Sequence, residues 1–426
     1  MLRLMKYLRD YRAEVILGPL FKFLEVICEL ALPTVMALAI NNGVLKQDSD
    51  YVIKMGWVML GLSILGFGFA TICQRVASYT SQGYGTILRS KLFSHILSLS
   101  HGQVEQFGAA TLTNRLTNDV NQMQLWVAMM IRLISRAPFI VIGSLIMAFM
   151  LDARLATILL ASTPFLAFII YLLTRYTAPL YRSFQKRLDR VGSRVRESLA
   201  GVRVIRAFAM EERFARENDE LRATGLAIGR LSALFSPLTS LVVNITILAI
   251  LWQGGIHIQG GTLDSGQLVA FISYVNYILV ALMVVANLII LLTKSLAAAQ
   301  RINQVLDTVP DIQSPSDEVS DGNVLHMPPY SLEFSHVSFS YHDTGEPALN
   351  DITFRVEKGR SVGIIGATGS GKSTLASLIP RFYDATQGMV LINGRDVRSY
   401  PLEELRNKIG FVPQKTRLFS GTKPIL

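Results

Sequence analysis

The chain has 426 residues, half of them apolar and 17% charged, with a formal net charge of +10 and a mean hydropathy of +0.38. A soluble domain carries about 25% charged residues, so this composition excludes an ordinary soluble protein and points to lipid contact. The two cysteines, Cys28 and Cys73, lie in apolar stretches; they exclude a disulfide framework and a cysteine metal site and read as buried thiols.

Residues 1–12 separate Arg3, Lys6, Arg9 and Arg12 from Leu2, Leu4, Met5, Leu8 and Tyr11 at helical spacing. That pattern predicts a helix lying in the membrane interface. It is not a secretory signal, because the apolar run that follows is too long and no small-residue cleavage site appears.

Six apolar segments follow, at residues 15–40, 52–72, 129–151, 155–173, 234–253 and 268–292. Each supplies the roughly 20 residues that a helix needs to cross the hydrocarbon core. The connections 41–50, 151–154 and 254–267 are short and nearly free of basic residues, whereas 74–128 and 175–230 are long and rich in arginine. The positive-inside tendency therefore puts both termini in the cytosol. The basic surplus belongs to this cytosolic side and not to nucleic-acid binding.

The long internal segments keep a helical period, through Leu92, Ile96, Leu99 and Phe107, and again through Val191, Val195, Ser198, Val202 and Ile205. They predict spanning helices that continue into the cytosol, with docking elements at their tips near residues 108–119 and 206–217. Inside the spans, Lys22, Glu25 and Glu29 share one helix face. Either Lys22 pairs with Glu25 or Glu29, or Glu29 faces a translocation path and favours cationic cargo. Arg132 and Arg136, one turn apart, read as snorkelling to headgroups. Asn244, Tyr274, Asn276, Tyr277 and Asn287 either line a polar path or bond between helices. Pro33 and Pro164 loosen the backbone ladder of their spans.

Residues 308–330 hold prolines, aspartates and serines without apolar period and read as a linker between a membrane domain, 1–307, and a soluble one, 331–426. Alternation at Leu332, Phe334, Val337 and Phe339 predicts a strand, with 352–356 as its partner. The run 361–365 reads as a buried strand, 389–392 as another ending in the tight turn Asn393-Gly394, 402–408 as a helix and 409–412 as extended.

Between the run 361–365 and a helix-prone segment stands Gly366-Ala367-Thr368-Gly369-Ser370-Gly371-Lys372-Ser373-Thr374. It matches the phosphate-cradling pattern G-x-x-x-x-G-K-[ST] in the strand–loop–helix context the pattern needs. The glycines let successive N–H groups turn toward the β- and γ-phosphates of a nucleotide, and the helix beginning at Lys372 aims its positive end at them. Lys372 adds a point charge, and the Ser373 hydroxyl is placed to bind Mg²⁺.

Six spans with long cytosolic helices, followed by this loop, resemble a half-transporter of the ATP-binding cassette exporter family, of the multidrug or lipid type. The resemblance covers essentially the whole chain. The stretch from Val337 to Tyr341 is similar to the one whose aromatic residue, here Tyr341, stacks on adenine. Phe411-Val412-Pro413-Gln414 is similar to the loop whose glutamine reaches Mg²⁺ and the attacking water. Residues 113–120 and 201–208 resemble segments near the two coupling elements. The resemblance implies a six-span α-helical exporter domain followed by an incomplete α/β P-loop nucleotide-binding domain. Its ligands are ATP and Mg²⁺, held by Tyr341, residues 366–374 and Gln414, with Ser373 and Gln414 at the metal. It further implies an integral protein of a bacterial cytoplasmic membrane, paired with an identical or related half-transporter and exporting amphipathic small molecules or lipids. A membrane-tethered phosphate-loop kinase or GTPase would need neither six spans nor Tyr341 and Gln414.

In this family the nucleotide domain continues past Gln414 with the LSGGQ-type signature, a metal-holding aspartate, a glutamate base and a switch histidine. Here the residues follow the family through Ser420, Gly421 and Thr422, then diverge to Leu426. No catalytic residue is assigned, and the histidines show no partner arrangement that replaces the base. Residues 1–426 are expected to leave the sheet around the loop short of central partners, to fold the membrane half better than the nucleotide half, to bind ATP weakly and not to hydrolyse it. The alternative role is a non-catalytic membrane subunit or remnant that pairs with an intact relative.

Overall fold

The structure is a computed structural model and describes residues 1–200, 211–314, 329–341 and 346–414. Among the described residues, six helices are long and apolar enough to span a membrane: Arg3–Val44, Ser49–Ser98, Ala109–Leu151, Ala153–Ser193, Asn218–Gln259 and Ser265–Leu306. Each contains one of the six expected segments. At 1.5 Å per residue, a helix of 42 residues runs about 63 Å, twice the hydrocarbon thickness, so the helices continue well beyond the membrane, as their periodicity indicates. By its contacts the chain divides into two compact units, Met1–Ile87 with Asn121–Ala299, and Leu88–Val120 with Gln300–Leu426.

The first unit has an apolar interior through Val26, Leu30, Ile140, Leu159, Ile250 and Phe271, while Phe67, Trp57, Leu248 and Trp252 point outward, as lipid-facing residues do. Tyr274 is fully buried; its hydroxyl lies 2.9 Å from Thr34 Oγ1 and donates to Leu30 O at 3.1 Å. Between a polar path and an interhelical bond, Tyr274 makes the bond. At the N-terminus, Leu4 and Leu8 are buried, so part of the expected interfacial face packs on protein and not on lipid.

Lys22, Glu25, Glu29 and Arg136, all within the spans, form two ion pairs. Lys22 Nζ donates to both Glu25 oxygens, at 2.7 and 2.8 Å. Arg136 Nη2 lies 2.9 Å from each oxygen of Glu29. Arg136 therefore bridges two helices, where snorkelling was expected, and Glu29 is neutralised before any cationic cargo arrives. Ionisable groups at membrane depth persist when paired in this way.

One residue, Asp152, separates the third helix from the fourth. Its Oδ1 accepts the N–H groups of Arg154 and Leu155 at 2.8 and 2.9 Å, capping the fourth helix. Its Oδ2 is 3.1 Å from Nδ1 of His257, near the end of the fifth helix.

In the second unit, β1 (Tyr330–Phe339) pairs antiparallel with β2 (Leu349–Glu357) and β3 (Gln387–Ile392), and β4 (Arg395–Asp396) follows β3. Asn393 and Gly394 both have positive φ, 51° and 81°, the geometry of a two-residue hairpin turn. Phe334, Val337, Leu375, Leu378, Val390 and Leu405 fill the core, and Leu402–Asn407 is helical as expected. Residues 361–365, expected as a buried strand, have no regular secondary structure and lie outside the sheet of the described residues, and Ile365 is 98% exposed.

Ser100 and Gln103 form a reciprocal capping box that starts the helix His101–Phe107 at the tip of the first long connection. This helix packs on Phe382 and Tyr383, and Gln103 Nε2 donates to Val309 O at 2.8 Å. The docking element thus lies upstream of the expected 108–119. In that stretch Arg115 donates to Arg301 O at 3.0 Å, and Asp119 accepts from Arg301 Nε at 2.8 Å, so it braces the sixth helix instead. Of the second expected tip, residues 206–210 lie outside the described residues and 211–217 open the helix Glu211–Ala233.

The interhelical pair makes a checkable statement. Removing one member of a half-buried pair strands the other's charge, at a cost of about 1–3 kcal/mol. Arg136→Ala and Glu29→Ala should each lower the thermal unfolding midpoint in nanodiscs. The double variant should lose less than the sum of the two, because neither charge is then left alone.

Candidate nucleotide site

The glycine loop rises from the unpaired run 361–365 and enters the helix Lys372–Leu378. Gly369 and Gly371 have φ of 88° and 85°, a conformation that residues with a Cβ rarely adopt. Gly371 also lacks room for one: a Cβ there would lie 2.7 Å from Ala348 O. Lys372 Nζ folds back over the loop and donates to Gly366 O at 2.9 Å, Ala367 O at 2.7 Å and Ser370 Oγ at 3.3 Å. The loop is thereby closed into a small ring with a cation at its centre, open to solvent through residues 366–370. Two left-handed glycines and an ammonium held over an exposed loop are chemistry suited to a polyphosphate.

The remaining expected residues fall around this ring to different degrees. Thr374 is buried, and its Oγ1 lies 2.7 Å from the Tyr341 hydroxyl. That bond ties Tyr341 to the first turn of the loop helix, while 48% of Tyr341 stays exposed and able to stack on a flat ring. Ser373 is exposed, leaving its hydroxyl accessible. Gln414 is also exposed, in an irregular segment whose Phe411 packs edge-on against Phe382 at 5.3 Å. None of the described contacts joins Gln414 to residues 366–374.

Sequence reasoning missed the aromatic residues behind Tyr341. Phe339, Tyr341 and Tyr383 have mutual ring-centroid distances of 4.9–5.4 Å. The Tyr383 hydroxyl donates to Glu105 Oε2 at 2.9 Å. Burial first, then the hydrogen bond to Glu105 and its charge, pushes the Tyr383 phenol well above its ordinary pKa, so it remains a donor. The sequence signal was Arg381-Phe382-Tyr383-Asp384, two aromatics bracketed by a charge pair. Three histidine–carboxylate contacts are present among the described residues, His101–Glu105, His257–Asp152 and His336–Asp351, and none includes a residue of 366–374.

The profile described as ABC transporter transmembrane region matches residues 15–282, and the profile described as ABC transporter matches 349–425. The chain belongs to the ABC transporter family. An uncharacterised ABC transporter ATP-binding protein of Mycobacterium tuberculosis is 37% identical over 98% of this chain and 72% of its own length. One of Bacillus subtilis is 34% identical over 99% of this chain and 73% of its own length. An ATP-dependent lipid A-core flippase of Syntrophus aciditrophicus is 31% identical over 81% of this chain and 57% of its own. Six spans and an ATP-binding cassette on one polypeptide make this ABC transporter exporter-type and an integral membrane protein. ABC half-transporters of this kind are typically dimeric.

The glycine ring is directly testable in this ABC transporter. Gly371→Ala forces a Cβ onto Ala348 O at a left-handed φ, a strain of about 1–3 kcal/mol. Denaturant unfolding followed by proteolysis of the 300–414 region should show that region opening at lower urea than in the wild type, with the spanning helices unaffected.

Proposed function

We propose that this ABC transporter exports amphipathic small molecules or lipids, driven by ATP, as a homodimer or as a heterodimer with a related half-transporter. The observation that carries this reading is Lys372 closed over Gly366 and Ala367 beside the Tyr341–Thr374 contact. Together they offer a phosphate cradle and an aromatic platform at one loop. Tyr341 is assigned to the adenine ring. Backbone groups of Gly366, Ala367, Thr368, Gly369, Ser370 and Gly371, with Lys372 and Thr374, are assigned to the phosphates. Mg²⁺ arrives with its nucleotide and keeps most of its oxygens from phosphate and water; the accessible Ser373 hydroxyl and the Gln414 amide are the protein groups assigned to it. The likeness to a lipid A-core flippase supports an amphipathic cargo, and the outward apolar faces of the helices suit a substrate that enters from lipid.

Binding ATP more tightly in one access state than in the other is what moves such an equilibrium. Inside-out vesicles from the producing cells, where a related second subunit is available, should accumulate an amphipathic dye or a fluorescent phospholipid when given ATP. Lys372→Ala should reduce that uptake at least about tenfold, because a charge-assisted contact to phosphate is lost. Equal uptake by variant and wild type would sink the export reading. Purified residues 1–426 alone are proposed not to hydrolyse ATP, since none of the histidine–carboxylate contacts touches the loop. Phosphate release that disappears in Lys372→Ala would overturn this.

A further inference from the structure

The helix His101–Phe107 meets the cassette next to Tyr341. Glu105 accepts from Tyr383 at 2.9 Å, and the His101 ring stands edge-on to Tyr383 at 5.7 Å. Gly102 allows this closeness, since a Cβ there would sit 3.3 Å from the Tyr383 ring. None of the described contacts of residues 100–107 reaches residues 366–374. The contacts of Lys372, by contrast, stay within the glycine loop. The contacts of Lys372 and those of the tip helix share no residue; the two sides meet at Tyr341, which packs on Tyr383 and whose hydroxyl lies 2.7 Å from Thr374 Oγ1.

Tyr383 is also held rigidly from behind. Arg381 is buried, has a left-handed φ of 53° and donates to Asp384 Oδ1 at 2.8 Å and to Gln313 O at 3.3 Å. This bracket fixes the backbone of residues 381–384, so the freedom of Tyr383 is that of its ring and hydroxyl. In front, a cavity of about 620 Å³ bordered by Gly102, Glu105, Gln106, Tyr341 and Tyr383 gives the ring room to respond. A base stacked on Tyr341 would fix that ring, and through their edge-to-face packing at 5.4 Å the orientation of the Tyr383 phenol.

We propose that Tyr383 is a positioning residue through which the helix His101–Phe107 senses the nucleobase, and not the phosphates, of the nucleotide on residues 366–374. This rests on the ATP reading above. A ligand carrying phosphates but no base should load the glycine loop and leave the tip helix unchanged. The stabilisation passes through one hydrogen bond to a carboxylate, whose loss corresponds to about a tenfold change in a local opening equilibrium.

Amide hydrogen exchange on the whole chain in nanodiscs separates the two segments, with millimolar MgATP and inorganic tripolyphosphate as probes. MgATP should slow exchange about tenfold at residues 100–107 as well as at 366–374. Tripolyphosphate should slow 366–374 and change 100–107 by less than about twofold. Tyr383→Phe keeps the ring and removes the donor; it should lose the response at 100–107 while ATP still protects 366–374. Glu105→Ala, a change at an exposed helix position that removes the acceptor, should do the same if Tyr383→Phe does not fold. Tripolyphosphate protecting 100–107 as ATP does, or Glu105→Ala responding like the wild type, overturns the proposal. ATP protecting 366–374 but not 100–107 in the wild type also overturns it while leaving the ATP reading intact. ATP protecting neither segment overturns both.

Discussion

Hydrocarbon offers no partner for a backbone N–H or C=O, and this constraint shapes most of the chain. A segment that crosses it must satisfy its own backbone, so it must be helical. Once a helix has crossed, its ladder has no reason to stop at the headgroups unless a breaker intervenes. In this chain the helices run on to about twice the membrane thickness, the fourth of them through Pro179. The capping box at Ser100 and Gln103 then starts a separate short helix, which becomes the element that meets the cassette.

The same scarcity of partners governs the polar groups inside the spans. Lys22 with Glu25, Arg136 with Glu29, and Tyr274 with Thr34 and the Leu30 carbonyl each form a locally neutral or bonded set. Charge that is matched within the protein gives little selectivity to a passing charged substrate. Glu25 and Glu29 are thus both compensated by basic side chains of the membrane unit itself.

How much of this was legible in the sequence depended on whether the signal was local. The six spans, the pairing of β1 with β2, the hairpin at Asn393-Gly394 and the glycine loop all announce themselves by period or by residue type at fixed spacing. The partner of Glu29 did not, since Arg136 lies 107 positions away and nothing local distinguishes pairing from snorkelling. The docking tip was misplaced because the helical period reads as unbroken to Phe107 and the polar residues after it read as a turn, whereas the capping box at Ser100 and Gln103 starts a new helix earlier. Tyr383 went unnoticed because its role depends on Glu105, distant in sequence and brought near by folding. Residues 361–365 show the opposite failure. Their apolar composition correctly signals a strand's preference, but a strand needs neighbours, and composition does not say whether they are present.

Asp152 is a single residue between two helices of more than 40 residues each. Its carboxylate is shared by the start of the fourth helix and by the end of the fifth, through His257. A connection this short has no slack, so the third and fourth helices cannot slide or rotate independently at that end. The carboxylate acts as a fulcrum: a small angular change there becomes a large arc at the far end of rods about 60 Å long. Motion of this membrane unit is therefore expected to be that of levers hinged at one acidic side chain, with the displacement greatest where the helices are farthest from it.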